Sequence, residues 1–192
     1  MFTDMQNNFL QRKKSILSKI DKSHKSSWDG KIRKLCGKIN SDDNYYTTSS
    51  CSGRIVLMIE QEKKGMGLFL KSYHELISFE ELKKNLAEIV KNNFKLIKFK
   101  MESCILHVAC RKLKNAEEIY EKAKLAGWKK SGIISTKRSF VAELISTERL
   151  EFPIINKKKI LVDDEFLKLV VKGSNDKLKR SWEKIKKLEK FL

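Results

Sequence analysis

The sequence predicts an α+β fold: a single domain with a mainly antiparallel sheet packed by helices, the sheet duplicated and barrel-like. Three observations carry that prediction. Helical periodicities alternate with pairs of short apolar strands rather than with single ones. No Gly-rich turn leads from a strand into a helix, which argues against a Rossmann or other doubly wound fold. The 192 residues suffice for one sizeable core, so the expected unit is residues 1–192.

Each element has a local reason. Thr3 and Gln6 form a capping-box pair ahead of Met5, Phe9, Ile16 and Ile20, predicting a helix over 4–20. The charged, aperiodic IDKSHKSSWDG interrupts it, and Asp29 opens a second helix carrying Ile32, Leu35, Cys36 and Ile39. The stretch YYTTSSCSGR, residues 45–54, reads as a hydroxyl-rich segment leading into a buried strand over 54–60, with a partner strand over 67–72. Ser78 with Glu81 caps a helix bearing Leu82, Leu86 and Ile89, followed by strands over 94–101 and 103–111. Asn115 with Glu118 is the next cap, and Gly127 the stop. Strands over 132–136, 139–146 and 150–155 precede a helix at Asp163 and a last one from Asn175 through Leu178, Trp182 and Ile185. Ser52-Gly53 and Ser131-Gly132 each open an apolar strand after a helix, and an offset of about 80 residues also aligns the helices near 79 and 164. That echo suggests pseudo-repeat halves of about 25–100 and 104–175.

Composition narrows the partners. Lys and Arg outnumber Asp and Glu by 42 to 24, a net charge of +18, and a protein so basic usually meets a polyanion. Adaptation to heat would raise Glu alongside Lys, so nucleic acid is the better reading. No apolar run reaches the ~20 residues that cross a bilayer, and the first residues lack a signal peptide's apolar stretch, so a cytoplasmic protein with no membrane partner is expected. The cysteines at 36, 51, 104 and 110 read as free thiols in a reducing compartment.

Spacing removes several chemistries. Cys104, His107 and Cys110 look like metal ligands, but on a strand the two cysteines share one face with Leu106 and Val108 while His107 takes the other, so no metal site is expected. The same alternation places His107, Ala109 and Arg111 together, either as an anion-holding pair in a groove or as a satisfied core histidine beside a surface arginine. Arg54 follows Cys51 too closely for a phosphatase loop, and no G-x-S-x-G elbow occurs. Cys51 then reads as a pocket wall rather than a nucleophile. Extended, the 45–54 stretch would put Ser50, Ser52 and Arg54 on one face and Ser49, Cys51 and Gly53 on the other, and the glycine permits close backbone approach to a ligand. The GMG in KKGMGLFL fits a hairpin turn better than dinucleotide binding.

Taken together, DKSHKSSWD, YYTTSSCSGRI, ILHVACR and GWKKSGI, in this order and spacing, resemble the wybutosine-synthesis methyltransferases that act third in that pathway on phenylalanine tRNA. The likeness runs from Asp21 to Asn175. It implies S-adenosyl-L-methionine as donor, bound outside a Rossmann site, and the N4 nitrogen of a 4-demethylwyosine-type base at position 37, in the anticodon loop of tRNA(Phe), as acceptor. Carried over by position, Asp21, Lys22, Ser23 and Lys25 match the family's first loop, with Asp29 at the acidic position after it. Ser49, Ser50, Cys51, Ser52, Gly53 and Arg54 match its second motif, His107, Cys110 and Arg111 its third, and Gly127, Ser131 and Gly132 its fourth. His24 and Ser26 stand where the family carries proline and glycine, and Tyr73 precedes His74 where serine is expected. The resemblance thus implies proton acceptance by Asp29 or Asp21, with His107 next. Donor contacts fall to the second motif with Ser131 and Gly132, and tRNA contacts to Lys22, Ser23, Lys25 and Arg111. The alternative is a nonenzymatic RNA-binding module that uses the same basic face.

Overall fold

A computed structural model describes residues 2–18, 29–61, 67–136 and 139–192, with side chains described from Asn8 onward. The chain is α+β, and among the described residues nine strands, all paired antiparallel, lie in two sheets. Two compact units contain them: Met1–Ser52, Cys104–Thr147 and Trp182–Leu192 in the first, Gly53–Ser103 and Glu148–Ser181 in the second.

In the first unit, helices α1 (Phe2–Leu17), α2 (Arg33–Ser41) and α4 (Leu113–Leu125) accompany strands β1 (Tyr45–Cys51), β5 (Ile105–Cys110), β6 (Gly132–Thr136) and β7 (Ser139–Ile145). The strand order is β1-β5-β7-β6. Period-two alternation on β5 buries Leu106, Val108 and Cys110 in a core with Cys104, Ala142 and Leu144, closed by Leu35, Cys36 and Ile39 of α2 and Ala116, Ile119 and Ala123 of α4. The cysteines at 104 and 110 and His107 therefore diverge, as the alternation predicts. Gly127 ends α4 with φ +94°. Its N–H donates to Lys124 O and that of Trp128 to Ala123 O, a Schellman closure that seats the fully buried Trp128 indole. The positive φ is what calls for glycine at 127; a Cβ there would meet Lys184 Cε at 3.1 Å, a contact the flexible lysine can relieve.

The second unit holds β2 (Arg54–Ile59), β3 (Phe69–Tyr73), β4 (Ile97–Glu102), β8 (Leu150–Asn156) and β9 (Lys159–Ile160), in the order β3-β2-β4-β8-β9, with α3 (Phe79–Asn92). On β4, Ile97, Phe99 and Met101 are fully buried, while Lys98 and Lys100 project to the opposite face. Pro153 sits on β8 beside a bulge, where a missing N–H is tolerated. Ser78 caps α3 as expected, its Oγ accepting the Glu81 N–H at 3.0 Å.

Several local expectations are corrected. The 45–54 segment is not only a lead-in: Tyr45–Cys51 is itself a strand, with a bulge between Thr47 and Ser49, and it belongs to the sheet that does not contain β2. Gly53, at φ +102°, carries the chain from one sheet to the other. Helix α4 starts two residues before Asn115, whose Oδ1 accepts the Lys112 N–H and so occupies the third helical position rather than the cap. The two helices expected from Asp163 and Asn175 are one, α5 (Asp164–Phe191), contributing 164–181 to the second unit and 182–191 to the first. Asn175 does not cap a new helix because its amide is committed elsewhere: Nδ2 donates to Ile77 O at 2.8 Å and Oδ1 accepts Ile77 N–H at 3.1 Å.

Candidate active site

Pairing across the first sheet brings the hydroxyl-rich strand to the histidine strand. Ser49 on β1 lies opposite His107 on β5, and His107 lies opposite Glu143 on β7. All three point away from the apolar core. Ser49 Oγ is 2.9 Å from His107 Nδ1, and Glu143 Oε1 is 2.8 Å from Nε2. An ionised carboxylate can only accept, so Nε2 carries the ring proton of the neutral histidine and leaves Nδ1 as an acceptor facing Ser49. The His107 side chain is 25% exposed and that of Glu143 34%, enough contact with solvent for a proton to leave. Neither reading of His107 from spacing alone was complete: it is hydrogen-bonded on both nitrogens and faces away from the core.

One residue after β1, Ser52 is fully buried, and its N–H donates to Asp29 Oδ2 at 3.0 Å while its hydroxyl donates to the same oxygen. The other oxygen, Oδ1, accepts the Lys31 N–H at 3.2 Å. Asp29 thus ties the end of β1 to the turn that begins α2. Three donors from two segments converge on its carboxylate, the geometry of a clamp. Between these two points, the Ser50 hydroxyl hydrogen-bonds the Cys36 thiol, which burial drives up to about 11, Ser50 working against that shift and the Asp29 charge adding to it. Burial likewise pushes Cys110 up to about 12. Neither thiol is a usable nucleophile near neutral pH.

The remaining expected residues separate. Arg54, in the second unit, is held by Glu102, Nε to Oε2 at 2.6 Å, and stacks 4.7 Å over the Phe69 ring. Ser131 is occupied within the fold, donating to Trp128 O at 2.6 Å and accepting the Ile145 N–H at 3.1 Å. Gly132 lies opposite Glu143, and no atom comes within 4 Å of where its Cβ would be, so its missing side chain leaves open space beside the carboxylate. Arg111 follows β5, and its buried Nε has no hydrogen-bond partner among the described residues. A buried guanidinium N–H left bare is costly unless an anion from outside completes it. Asp21, Lys22, Ser23 and Lys25 lie outside the described residues. Glu143 is the functional candidate that the sequence did not reveal; its only trace is alternation with the buried Ala142 and Leu144, and the register that pairs it with His107 is not written in either strand alone. Among the described residues, no helix is long and apolar enough to cross a membrane.

Comparison with known proteins supplies the frame. A family profile described as Methyltransferase TYW3 matches residues 11–192. A protein of Thermococcus sibiricus named tRNA(Phe) 7-((3-amino-3-carboxypropyl)-4-demethylwyosine(37)-N(4))-methyltransferase is 36% identical over 98% of this chain and 96% of its own length. A tRNA wybutosine-synthesizing protein 3 homolog of Danio rerio is 32% identical over 96% of this chain and 73% of its own. Among solved structures, the PH1069 protein from Pyrococcus horikoshii superposes with a TM-score of 0.86 at 32% identity, covering 97% of both chains.

Proposed function

The chain belongs to the TYW3 methyltransferase family, and from that premise we propose that it transfers a methyl group from S-adenosyl-L-methionine to N4 of a 4-demethylwyosine-type base at position 37 of tRNA(Phe). The observation that carries the reading is the register of the two motif strands, which sets Ser49 of TTSSCSGR against His107 of ILHVACR within hydrogen-bond distance. The hydroxyl-rich strand suits such a methyl donor: the Ser49 and Ser50 hydroxyls, held in register on β1, offer partners for a ribose diol.

When bound, the donor supplies an electrophilic methyl carbon on a sulfonium; the carbon–sulfur pair stays with sulfur, the nitrogen lone pair forms the new bond, and one N4 proton remains to be removed. The chain's own residues then have three tasks. They hold the base in line with the methyl group, which provides much of the acceleration by itself. They receive the proton, for which His107 is the best placed of the described residues, its Nδ1 presented to the sheet's open face and Glu143 opposite to stabilise the imidazolium. They neutralise RNA phosphate, a task supported by the net charge of +18 and by Arg111 following the strand that carries His107. Asp29 serves this reading by fixing the Ser52 end of β1.

Incubating the protein and donor with tRNA isolated from cells lacking it, followed by mass analysis of the anticodon-loop nucleoside, should reveal one added methyl on the tricyclic base. An unaltered nucleoside mass despite tight donor binding by calorimetry would remove the reading. tRNA affinity should also fall with salt on a log–log slope of several units, because each phosphate contact releases counterions.

A further inference from the structure

The three polar side chains in a row across β1, β5 and β7 do more than present one histidine. Ser49 is exposed on the edge strand β1, beside His107 on the same sheet face, with its Oγ 2.9 Å from Nδ1. A base seated against that face can contact the Ser49 hydroxyl, whose own proton is directed at Nδ1. Glu143 approaches from the opposite edge at 2.8 Å, with the open space at Gly132 beside it. Serine, histidine and carboxylate follow in line, each touching the next, on three strands whose register a packed core fixes from behind.

We infer that Ser49, His107 and Glu143 form a proton relay for the transfer, with Ser49 the contact to the acceptor nitrogen and Glu143 the positioning residue. The inference rests on the methyl-transfer reading above. The N4 proton passes to Ser49 Oγ as the Ser49 hydroxyl proton passes to His107 Nδ1. Serine ends as it began, a neutral hydroxyl, and the positive charge resides on an imidazolium facing the Glu143 carboxylate. The proton then leaves to solvent past the half-exposed histidine. Glu143 acts through His107: by accepting from Nε2–H it keeps Nδ1 bare in the resting state, and by its charge it stabilises the protonated ring. An isolated serine could not do this, since its hydroxyl holds a second proton only fleetingly without an acceptor at hand.

Two substitutions separate the tasks of Glu143. Glu143→Leu removes the acceptor, whereas Glu143→Gln keeps an acceptor oxygen and removes the charge. In the full chain, ring-nitrogen NMR of His107 should show the neutral Nε2–H form in the wild type, a shift toward Nδ1–H in Glu143→Leu, and a smaller change in Glu143→Gln. Both variants should lose roughly 10- to 100-fold in kcat with KM for tRNA little altered, part of the ~100-fold or larger effect of a general base; Glu143→Asp should recover some of the loss. Ser49→Ala should lower kcat at least as much, with the Nε2–H form of the His107 ring retained. Methyl transfer that proceeds unchanged in Glu143→Gln, or a wild-type ring in the Nδ1–H form, overturns the relay and leaves the methyl-transfer reading standing. A wild-type chain that transfers no methyl group removes both.

Discussion

The two sheets carry polar groups on the faces turned from their apolar residues, and they use them differently. In the second unit, Lys98 reaches Glu60 and, at 3.6 Å, Glu151; Lys100 reaches Glu151 at 3.3 Å; and Arg149 also pairs with Glu151. Three cations share the Glu151 carboxylate, so loss of any one leaves it paired with the other two. In the first unit, His107 has one partner on each nitrogen, and neither is duplicated. Redundant pairing suits a solvated surface, where an exposed pair contributes 1 kcal/mol or less. Two single partners on one ring instead fix a tautomer and a direction, which is what proton transfer needs.

Breaking the two networks should therefore give unequal effects. The largest is expected for His107→Gln: turnover at saturating tRNA should fall by roughly 100-fold or more with unchanged thermal unfolding, and undiminished turnover would remove His107 as acceptor. Next comes Asp29→Asn, which keeps an acceptor for the Ser52 N–H but discards the charge. Chemical denaturation should show a loss of about 1.5–3 kcal/mol, the range for hydrogen bonds to a charged group, and turnover lost without any loss of stability would make Asp29 a reagent instead of a clamp. In the second unit, the two-residue turn joining β8 to β9 has Lys157 at φ +47° and Lys158 at φ +59°. Lys157→Gly should raise stability by up to about 1 kcal/mol, since only glycine occupies that region without cost; a lower melting temperature would show that this lysine earns its place by another contact. The smallest effect is expected at Glu151, whose carboxyl is held below its ordinary value chiefly by the Arg149 hydrogen bond, burial opposing and Lys100 assisting. Because the folded value is depressed, its contribution is present above the ordinary value of 4.5 and fades as pH falls through the lower folded one. The stability difference between wild type and Glu151→Gln should be under ~1 kcal/mol at pH 7 and shrink as the pH is taken below the ordinary carboxyl range; a difference that grows on acidification would contradict the pairing.

What the sequence made legible was local. Alternation along ILHVAC placed Leu106, Val108 and Cys110 inward and His107 outward without knowledge of any neighbour. Ser78 before Glu81 and Gly127 after Leu125 announced a helix start and stop because caps are satisfied within a few residues. The failures were long-range. Gly173-Ser174-Asn175 carries the residues of a helix break, yet α5 runs through it because Asn175 spends its amide on Ile77, 98 positions away. Lys157-Lys158 has none of the Asn-Gly chemistry of a tight hairpin, so β9 went unread. TTSSC lacks the apolar alternation of a half-buried strand, because the face of β1 bearing Ser49 serves polar contacts. Ser49 and His107 were both singled out by motif. Their contact, and Glu143 with it, depends on a three-strand register that only folding establishes.

The cysteines have a practical consequence. Cys36, Cys104 and Cys110 are buried, and a thiol held near 11 or 12 is ionised to only about one part in ten thousand or less at pH 7. Cys51 alone is partly accessible, two residues from Ser49 and one from Ser52. A thiol-reactive fluorophore should thus report from a single position, at the end of the strand that carries the proposed relay. Shielding of that one label by donor or by tRNA would give a binding assay in which the chain, without further engineering, is its own probe.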